Sequence, residues 1–482
     1  MDTLKEKAIR GGIWTGIEKL GNQIISFGIG LILARLLIPE DYGLLGIVLV
    51  FIAIAQAFVD GGFSAALIRK SNVTDDDYST VFWFNLIAAI LFYIILFFSS
   101  YVISSFYNEP KLILLAQVIG INIILNSFGI IQKTILVKKF DFKTQTKISL
   151  IATVAGGAVG IISALNGFGV WSLVIQNISR TVIINCGFWL KSTWRPLPVF
   201  SGNSFKELFG FGSKLLASGL IYTISGNLYS IVIGKIYNIK SLGFYSRANQ
   251  FQQLPVVSIY GTISTITFPA LVELQDDDQK LKNASRSIMK LTAFILFPIM
   301  GIFAVMAHQI IFIVLTDKWL PSVPLMQLLC VVGAFYPLHA INLEILKVKG
   351  RSDLFLKLEI LKQSLNILVI IICYRYDVTG LVWGMIALNF VGYYINTYFT
   401  KIIIDYGFRE QIKDLLIPIA LTAMLIVIMY GLSYLIKGQL VQLIVLPIMG
   451  AVFYIIASFF LNLNEYAEVK AILLKIKLKV YG

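Results

Sequence analysis

Apolar residues run along this chain in blocks of about twenty, broken by short polar punctuation, from the first turns to residue 461. A helix of that length rises ~1.5 Å per residue and matches the ~30 Å hydrocarbon core of a bilayer. The pattern predicts about fourteen transmembrane helices, near 10–36, 42–68, 79–106, 112–137, 144–165, 168–190, 207–236, 241–272, 287–314, 323–346, 354–374, 378–400, 413–436 and 440–461. Connections are short, the longest near 191–206 and 273–286. The expected fold class is therefore all-α and polytopic. Composition agrees: 57% of the 482 residues are hydrophobic and 14% charged. A soluble chain of this size keeps about a quarter of its residues charged.

The positive charge is unevenly distributed. With the N-terminus inside, the inner segments gather Lys5, Lys7 and Arg10; Arg69 and Lys70; Lys138, Lys139, Lys143 and Lys147; and further clusters down to Lys470, Lys475, Lys477 and Lys479. The outer loops hold Lys111, Lys240, Lys318, Arg375 and Lys437. Basic residues mark cytoplasmic loops, so both termini are expected in the cytoplasm. The net charge of +14 is then a topology signal that suits anionic headgroups, and needs no nucleic-acid partner. The run Asp276–Asp277–Asp278 reads as a solvated turn. The first block is interrupted by Glu18 and Lys19 and lacks an A-x-A site, so it is expected to remain as the first span. Cys186, Cys330 and Cys373 lie in apolar segments and read as buried thiols. No cofactor, metal or disulfide framework is expected.

A shift of 200 residues gives a weak internal echo. Leu31–Leu36 falls on Ile231–Ile236, Gly43 on Gly243, Gly61 on Gly261 and Ser64 on Ser264. Repeats of this kind build many transporters, with the substrate site between them. The expected division is 1–190 (six helices), a cytoplasmic linker at 191–206, 207–400 (six helices), and a terminal pair with its tail at 401–482.

Some spans carry residues that lipid would not tolerate, since an ionisable group at mid-membrane costs at least ~2.5–3.5 kcal/mol. Positions i, i+3 and i+4 share a helix face. The first span aligns Thr15, Glu18, Asn22 and Ser26; the second, Gln56, Asp60 and Ser64; the sixth, Ser172, Gln176 and Arg180; the seventh, Lys214, Ser218, Tyr222 and Ser225. The eighth concentrates Arg247, Asn249, Gln250, Gln252 and Gln253 ahead of Pro255. Such groups either glue helices together or line a wet cavity between the halves. Five stripes together favour the cavity. Its cations would be Arg180, Lys214 and Arg247, with Lys19, against Glu18 and Asp60. Arg35, Lys235, Lys133 and Lys362 lie near span ends and read as snorkelling edge residues. Gly12-x-x-x-Gly16 and Gly156-x-x-x-Gly160 read as close-packing motifs.

Several motifs resemble one family. Ala34–Gly43, Phe58–Leu67, Thr80–Asn85, Gly169–Leu173, Leu242–Asn249 and Lys349–Asp353 are similar to Wzx-type polysaccharide exporters, close to the colanic-acid branch. The likeness covers roughly residues 5–400. It implies the MOP superfamily, a MATE-like pair of six-helix lobes in a V with alternating access. The implied cargo is an undecaprenyl-pyrophosphate-linked oligosaccharide, flipped to the outer leaflet of the bacterial inner membrane for lipopolysaccharide, O-antigen or exopolysaccharide synthesis. The motif Leu-Gly-x-Tyr-x-Arg-Ala makes Arg247 an implied headgroup contact.

On this reading Arg247, Lys214, Arg180 and Lys19 meet pyrophosphate. Asn22, Gln56, Tyr222, Asn249, Gln250 and Gln253 meet sugar hydroxyls. Glu18 and Asp60 either pair with a cation or carry a coupling Na⁺ or H⁺. Membrane lipid would surround the polyprenyl tail, and a polysaccharide polymerase is a further expected partner. One alternative is a MATE-like multidrug/cation antiporter, which would favour acidic groups in the cavity. Another is a membrane polymerase or ligase. The short outer loops, with His308 and His339 distant from any evident catalytic partner, speak against an enzyme.

Overall fold

The computed structural model describes residues 4–471, and all its regular structure there is helical. The helices are α1 (Leu4–Leu36), α2 (Pro39–Asp60), α3 (Phe63–Arg69), α4 (Asp75–Tyr107), α5 (Lys111–Lys138), α6 (Phe142–Leu165), α7 (Val170–Lys191) and α8 (Gly202–Ile236). Then follow α9 (Ile239–Val272), α10 (Asp278–Val305), α11 (Ala307–Ile310), α12 (Ser322–Val348), α13 (Ser352–Cys373), α14 (Val378–Ile404), α15 (Phe408–Leu435) and α16 (Gln439–Phe460). Every expected segment is thus helical. Among the described residues, eleven helices are long and apolar enough to cross a membrane; α7, α9 and α13 fall outside that set. The protein is a multi-pass membrane protein. The tail lysines Lys475, Lys477 and Lys479, and the side chains of Lys5 and Lys7, lie outside the described residues.

Polar caps set the helix starts. Thr74 and Asp77 form a capping box ahead of α4, and Asp141 caps α6. Ser201 caps α8 and Asp277 caps α10. These caps correct two expected boundaries. The seventh long helix begins at Gly202 rather than 207, and the ninth at Asp278 rather than 287. The run Asp276–Asp278 is more than a solvated turn: Asp277 accepts the Lys280 amide at 3.0 Å, satisfying one otherwise unpaired helix donor.

The second expected helix, 42–68, is broken. Gly61 and Gly62 both adopt positive φ, +53° and +74°, where a side chain would be strained. A Cβ on Gly62 would also strike the Gly212 carbonyl on α8. The ninth helix ends at Val305, and the remainder of the expected 287–314 segment becomes α11 and a single π turn, Ile311–Leu315.

The chain divides into two compact units, Met1–Ser246 and Arg247–Gly482. In the first, α1 packs on α6, α6 on α7, α4 and α7 on α5, and α2 on α8. The linker before α8 is fastened to the start of α4: Ser79 Oγ accepts the Leu197 amide (3.0 Å), Thr80 Oγ1 the Ser201 amide (2.9 Å), and Trp83 Nε1 donates to the Leu197 carbonyl (2.7 Å). In the second unit, α10 packs on α12 and α15, and α12 on α14. Gln411, fully buried, joins α12, α14 and α15 through Asn342 and Tyr393. The outward faces are apolar; Leu190 is 84% exposed and Tyr434 85%, as a lipid-facing surface requires.

The 200-residue echo has a counterpart in contact. At the start of α2, Gly43 lies against the carbonyl of Ile239; at the start of α9, Gly243 lies against the carbonyl of Pro39. Glu40 pairs with Lys240 at 3.5 Å. The positions equated by the repeat meet each other.

Candidate functional site

The first unit holds two polar cavities in its apolar interior. One, of about 470 Å³, is lined by Gln56 on α2, Asn122 and Asn126 on α5, Asn177, Arg180 and Thr181 on α7, and Asn227 on α8, with four apolar neighbours. The other, of about 390 Å³, is lined by Gln56, Asp60, Ser64, Asn126, Lys133 and Thr134 among apolar residues. Gln56 and Asn126 belong to both walls. A cavity so small and rich in amides is costly in a membrane interior unless those amides find partners, and several here have groups to spare. Asn122 Oδ1 and Arg180 Nε are buried without a hydrogen-bond partner among the described residues.

Close helix packing places Arg180. Gly156 of α6 lies against the Arg180 backbone and Cβ, and Gly160 against the Gln176 side chain. The Gly156-x-x-x-Gly160 motif therefore seats α7. It also corrects the register of that helix. Gln176 packs on α6 and Ser172 is fully buried, whereas Asn177, Arg180, Thr181 and Ile184 form the face on the cavity. Among the described residues the Gly12-x-x-x-Gly16 motif meets no partner: a Cβ at either position would find no atom within 4 Å.

The second-span stripe reaches the cavities as a group. Ser64 Oγ donates to Asp60 Oδ1 at 2.5 Å across the glycine break. Lys133, expected at a span edge, lines the same cavity as Asp60. Both Gln56 and Asp60 therefore sit where a solute could meet them.

Other expected site residues lie elsewhere. Glu18 accepts from Gln145 Nε2 (2.9 Å); Asn22 donates to Ser149 (2.8 Å) and accepts from Thr153 (2.6 Å). That stripe of α1 joins α1 to α6. Lys19, Lys214 and Tyr222 are exposed and line neither cavity. Arg247, Asn249, Gln250 and Gln253 belong to the second unit, along α9. There Arg247 donates to Gln250 Oε1 (2.5 Å), and Gln253 Nε2 lies 3.4 Å from Asn249 Oδ1. Lys235 reaches the Phe106 carbonyl at the end of α4 and lies over the Phe106 ring.

The residues missed by sequence reasoning are Asn122, Asn126, Asn177, Thr181 and Asn227. The i, i+4 pairs Asn122/Asn126 and Asn177/Thr181 were available as a signal. They were hidden because neither pair carries a charge.

Comparison with known proteins accords with the architecture. Residues 32–324 match the family described as polysaccharide biosynthesis protein. The teichuronic acid biosynthesis protein TuaB of Bacillus subtilis (strain 168) is 24% identical over 443 residues, covering 90% of each chain. The lipopolysaccharide biosynthesis protein WzxC of Escherichia coli (strain K12) is 26% identical over 449 residues, covering 91% of this chain and 90% of its own. The two relatives are named for different polymers, so the likeness singles out no one branch. Among solved structures, the lipid II flippase MurJ in an inward closed conformation superposes with a TM-score of 0.76 at 15% identity, covering 93% of this chain and 99% of that one. An inward-facing multidrug resistance MATE family transporter superposes with a TM-score of 0.61 at 18% identity, covering 79% of this chain and 95% of that one, so the fold is shared with both. With three-fifths of its length inside one family's profile and its cavities within that fold, the chain belongs to the polysaccharide biosynthesis protein family.

Proposed function

We propose that this protein is a flippase. It carries a polyprenyl-pyrophosphate-linked oligosaccharide from the inner to the outer leaflet of the bacterial cytoplasmic membrane, for assembly of a cell-surface polysaccharide. The observation that carries this reading is the Arg180 cavity: one guanidinium with a buried, unpartnered Nε, set among carboxamides. A guanidinium presents a rigid fork of donors that fits phosphate oxygens. Carboxamides both donate and accept, which suits sugar hydroxyls. Removing such groups from water strengthens each contact. Lys133 and Asp60 extend the polar wall, so an anionic headgroup and its sugars can be held in adjoining spaces.

The family and the MurJ-like fold support transport by alternating access rather than catalysis. In this reading fourteen helices span the membrane, residues 1–190 and 207–400 act as the two moving lobes, and both termini are cytoplasmic. The distribution of Lys and Arg supports that orientation. Arg247, by its motif, is a second contact for the headgroup, and a monovalent cation drives the cycle. A multidrug antiporter is less well supported, because the larger cavity's charge is a cation.

Deletion of the gene tests the proposal. The lipid-linked oligosaccharide should accumulate on the cytoplasmic leaflet, and the wild-type gene should release it. An unchanged leaflet distribution and normal polymer output in the deletion strain would overturn the assignment.

A further inference from the structure

Glu344 on α12 is 6% exposed. Its Oε1 accepts two hydrogen bonds from α9, one from the Tyr260 hydroxyl (2.7 Å) and one from Ser264 Oγ (2.6 Å). Its Oε2 is buried and has no hydrogen-bond partner among the described residues. No Lys, Arg or His pairs with Glu344 among those residues. Asp414 in the same unit is the contrast: it is equally buried, but Arg286, Lys290 and the Tyr406 hydroxyl satisfy it.

The arrangement is unfinished as a hydrogen-bonded carboxylate. Ionised, Oε2 carries charge in a low-dielectric interior with nothing to offset it. The oxygens nearby have capacity left. Tyr260 and Ser264 each give their one hydrogen to Oε1 and keep their lone pairs. Thr267, one turn further along the same face of α9, has a buried Oγ1 that is also unpartnered. One carboxylate and neutral hydroxyls form a hard oxygen set of single negative charge. Divalent Ca²⁺ or Mg²⁺ is held by more carboxylates or more waters than this. Among the described residues no cluster of three or more His, Cys, Asp and Glu exists.

We propose that Glu344, with Tyr260 and Ser264, binds an exchangeable monovalent cation, Na⁺ or H⁺, that is coupled to transport. The coupling rests on the flippase reading; the binding does not. Ion-carrying carboxylates within membrane spans are shielded from lipid and paired with polar groups of neighbouring helices, as here. Glu18 and Asp60 are weaker candidates, because Glu18 serves the α1–α6 contact and Asp60 shares its cavity with Lys133.

Thermal unfolding of the full chain in detergent micelles tests the site without any oligosaccharide present. The probes are NaCl against choline chloride at pH 8, and pH 5.5 against pH 8 in choline chloride. A ligand bound only by the folded state raises the unfolding temperature. A Na⁺ site gives a rise of several degrees with NaCl; a proton site gives it on acidification. Glu344→Gln keeps the shape and an acceptor for both hydroxyls, and should abolish whichever rise the wild type shows. His339, five residues earlier on α12, remains in the variant, so a pH response shared by both proteins does not belong to Glu344. Identical responses in wild type and Glu344→Gln, or no response of the wild type to either probe, would overturn the proposal. Should that variant fail to fold, Ser264→Ala should shift the half-maximal Na⁺ concentration or midpoint pH, and an unmoved midpoint would be equally decisive. Loss of the ion response with export intact would leave the flippase reading standing and remove only the coupling.

Discussion

Substituting Gly156 by Ala probes how α6 holds the cavity arginine. A Cβ at this position would lie 2.8 Å from Arg180 Cβ and 3.0 Å from Arg180 Cα and N. Carbon pairs prefer ~3.5–4.0 Å, so α6 and α7 would have to separate by about 1 Å. No rotamer of Arg180 relieves the clash, because the atoms struck are fixed to the backbone. Overpacking of this kind costs about 1–3 kcal/mol, against up to ~1 kcal/mol regained from the better helix propensity of Ala. A net loss of about 1–2 kcal/mol is expected, together with reduced export, since Arg180 moves with α7. Gly12→Ala is the matched control: its Cβ meets nothing within 4 Å, so the variant should be as stable as wild type or slightly more so. The assay is thermal unfolding of both purified variants, with polymer export measured in cells. A Gly156→Ala protein as stable as Gly12→Ala would refute the packing argument.

Other substitutions follow from the same geometry. Gly43→Ala and Gly243→Ala each force a methyl against a carbonyl of the opposing helix, and each should cost about 1–3 kcal/mol. Because both open one crossing, the double variant should lose less than the sum of the two, which a double-mutant cycle in thermal unfolding would show. Gln411→Leu removes two hydrogen bonds with Asn342 and one from the Tyr393 hydroxyl; Asn342 keeps Leu338 and Thr400, and at ~0.5–1.5 kcal/mol per bond lost the unfolding midpoint should fall below that of Gly12→Ala. Trp83→Phe removes the donor to Leu197 and should cost about 1 kcal/mol, with faster proteolysis of the 191–201 linker as the readout.

Much of the fold was legible in the sequence because lipid leaves few options: a span must be apolar and must satisfy its own backbone. Element existence was therefore clear at every segment. Boundaries were harder, since caps such as Ser201 and Asp277 sit in polar stretches that read equally well as linker. The break at Gly61–Gly62 was less visible still, because the apolar pattern continues through it to Ile68. At the site, charge identified Arg180 and Asp60, and the helix face shared with Asp60 brought in Gln56. The neutral Asn ring around Arg180 stayed hidden, because a lone Asn in a span reads as helix glue. The reverse error affected α1: Glu18 and Asn22 are polar enough to suggest a cavity, yet Gln145, Ser149 and Thr153 satisfy them. Glu344 was concealed by its place near the end of α12, where an acidic residue looks like ordinary interfacial polarity.

The central claim is that the Arg180 cavity handles the anionic headgroup of a lipid-linked oligosaccharide. The most direct measurement is the leaflet distribution of that lipid in cells whose only copy of the gene carries Arg180→Ala, compared with Arg180→Lys and wild type at equal membrane levels of protein. The account predicts cytoplasmic-leaflet accumulation in Arg180→Ala, and partial flipping in Arg180→Lys, which keeps the charge but loses the fork. A wild-type distribution in Arg180→Ala would contradict it.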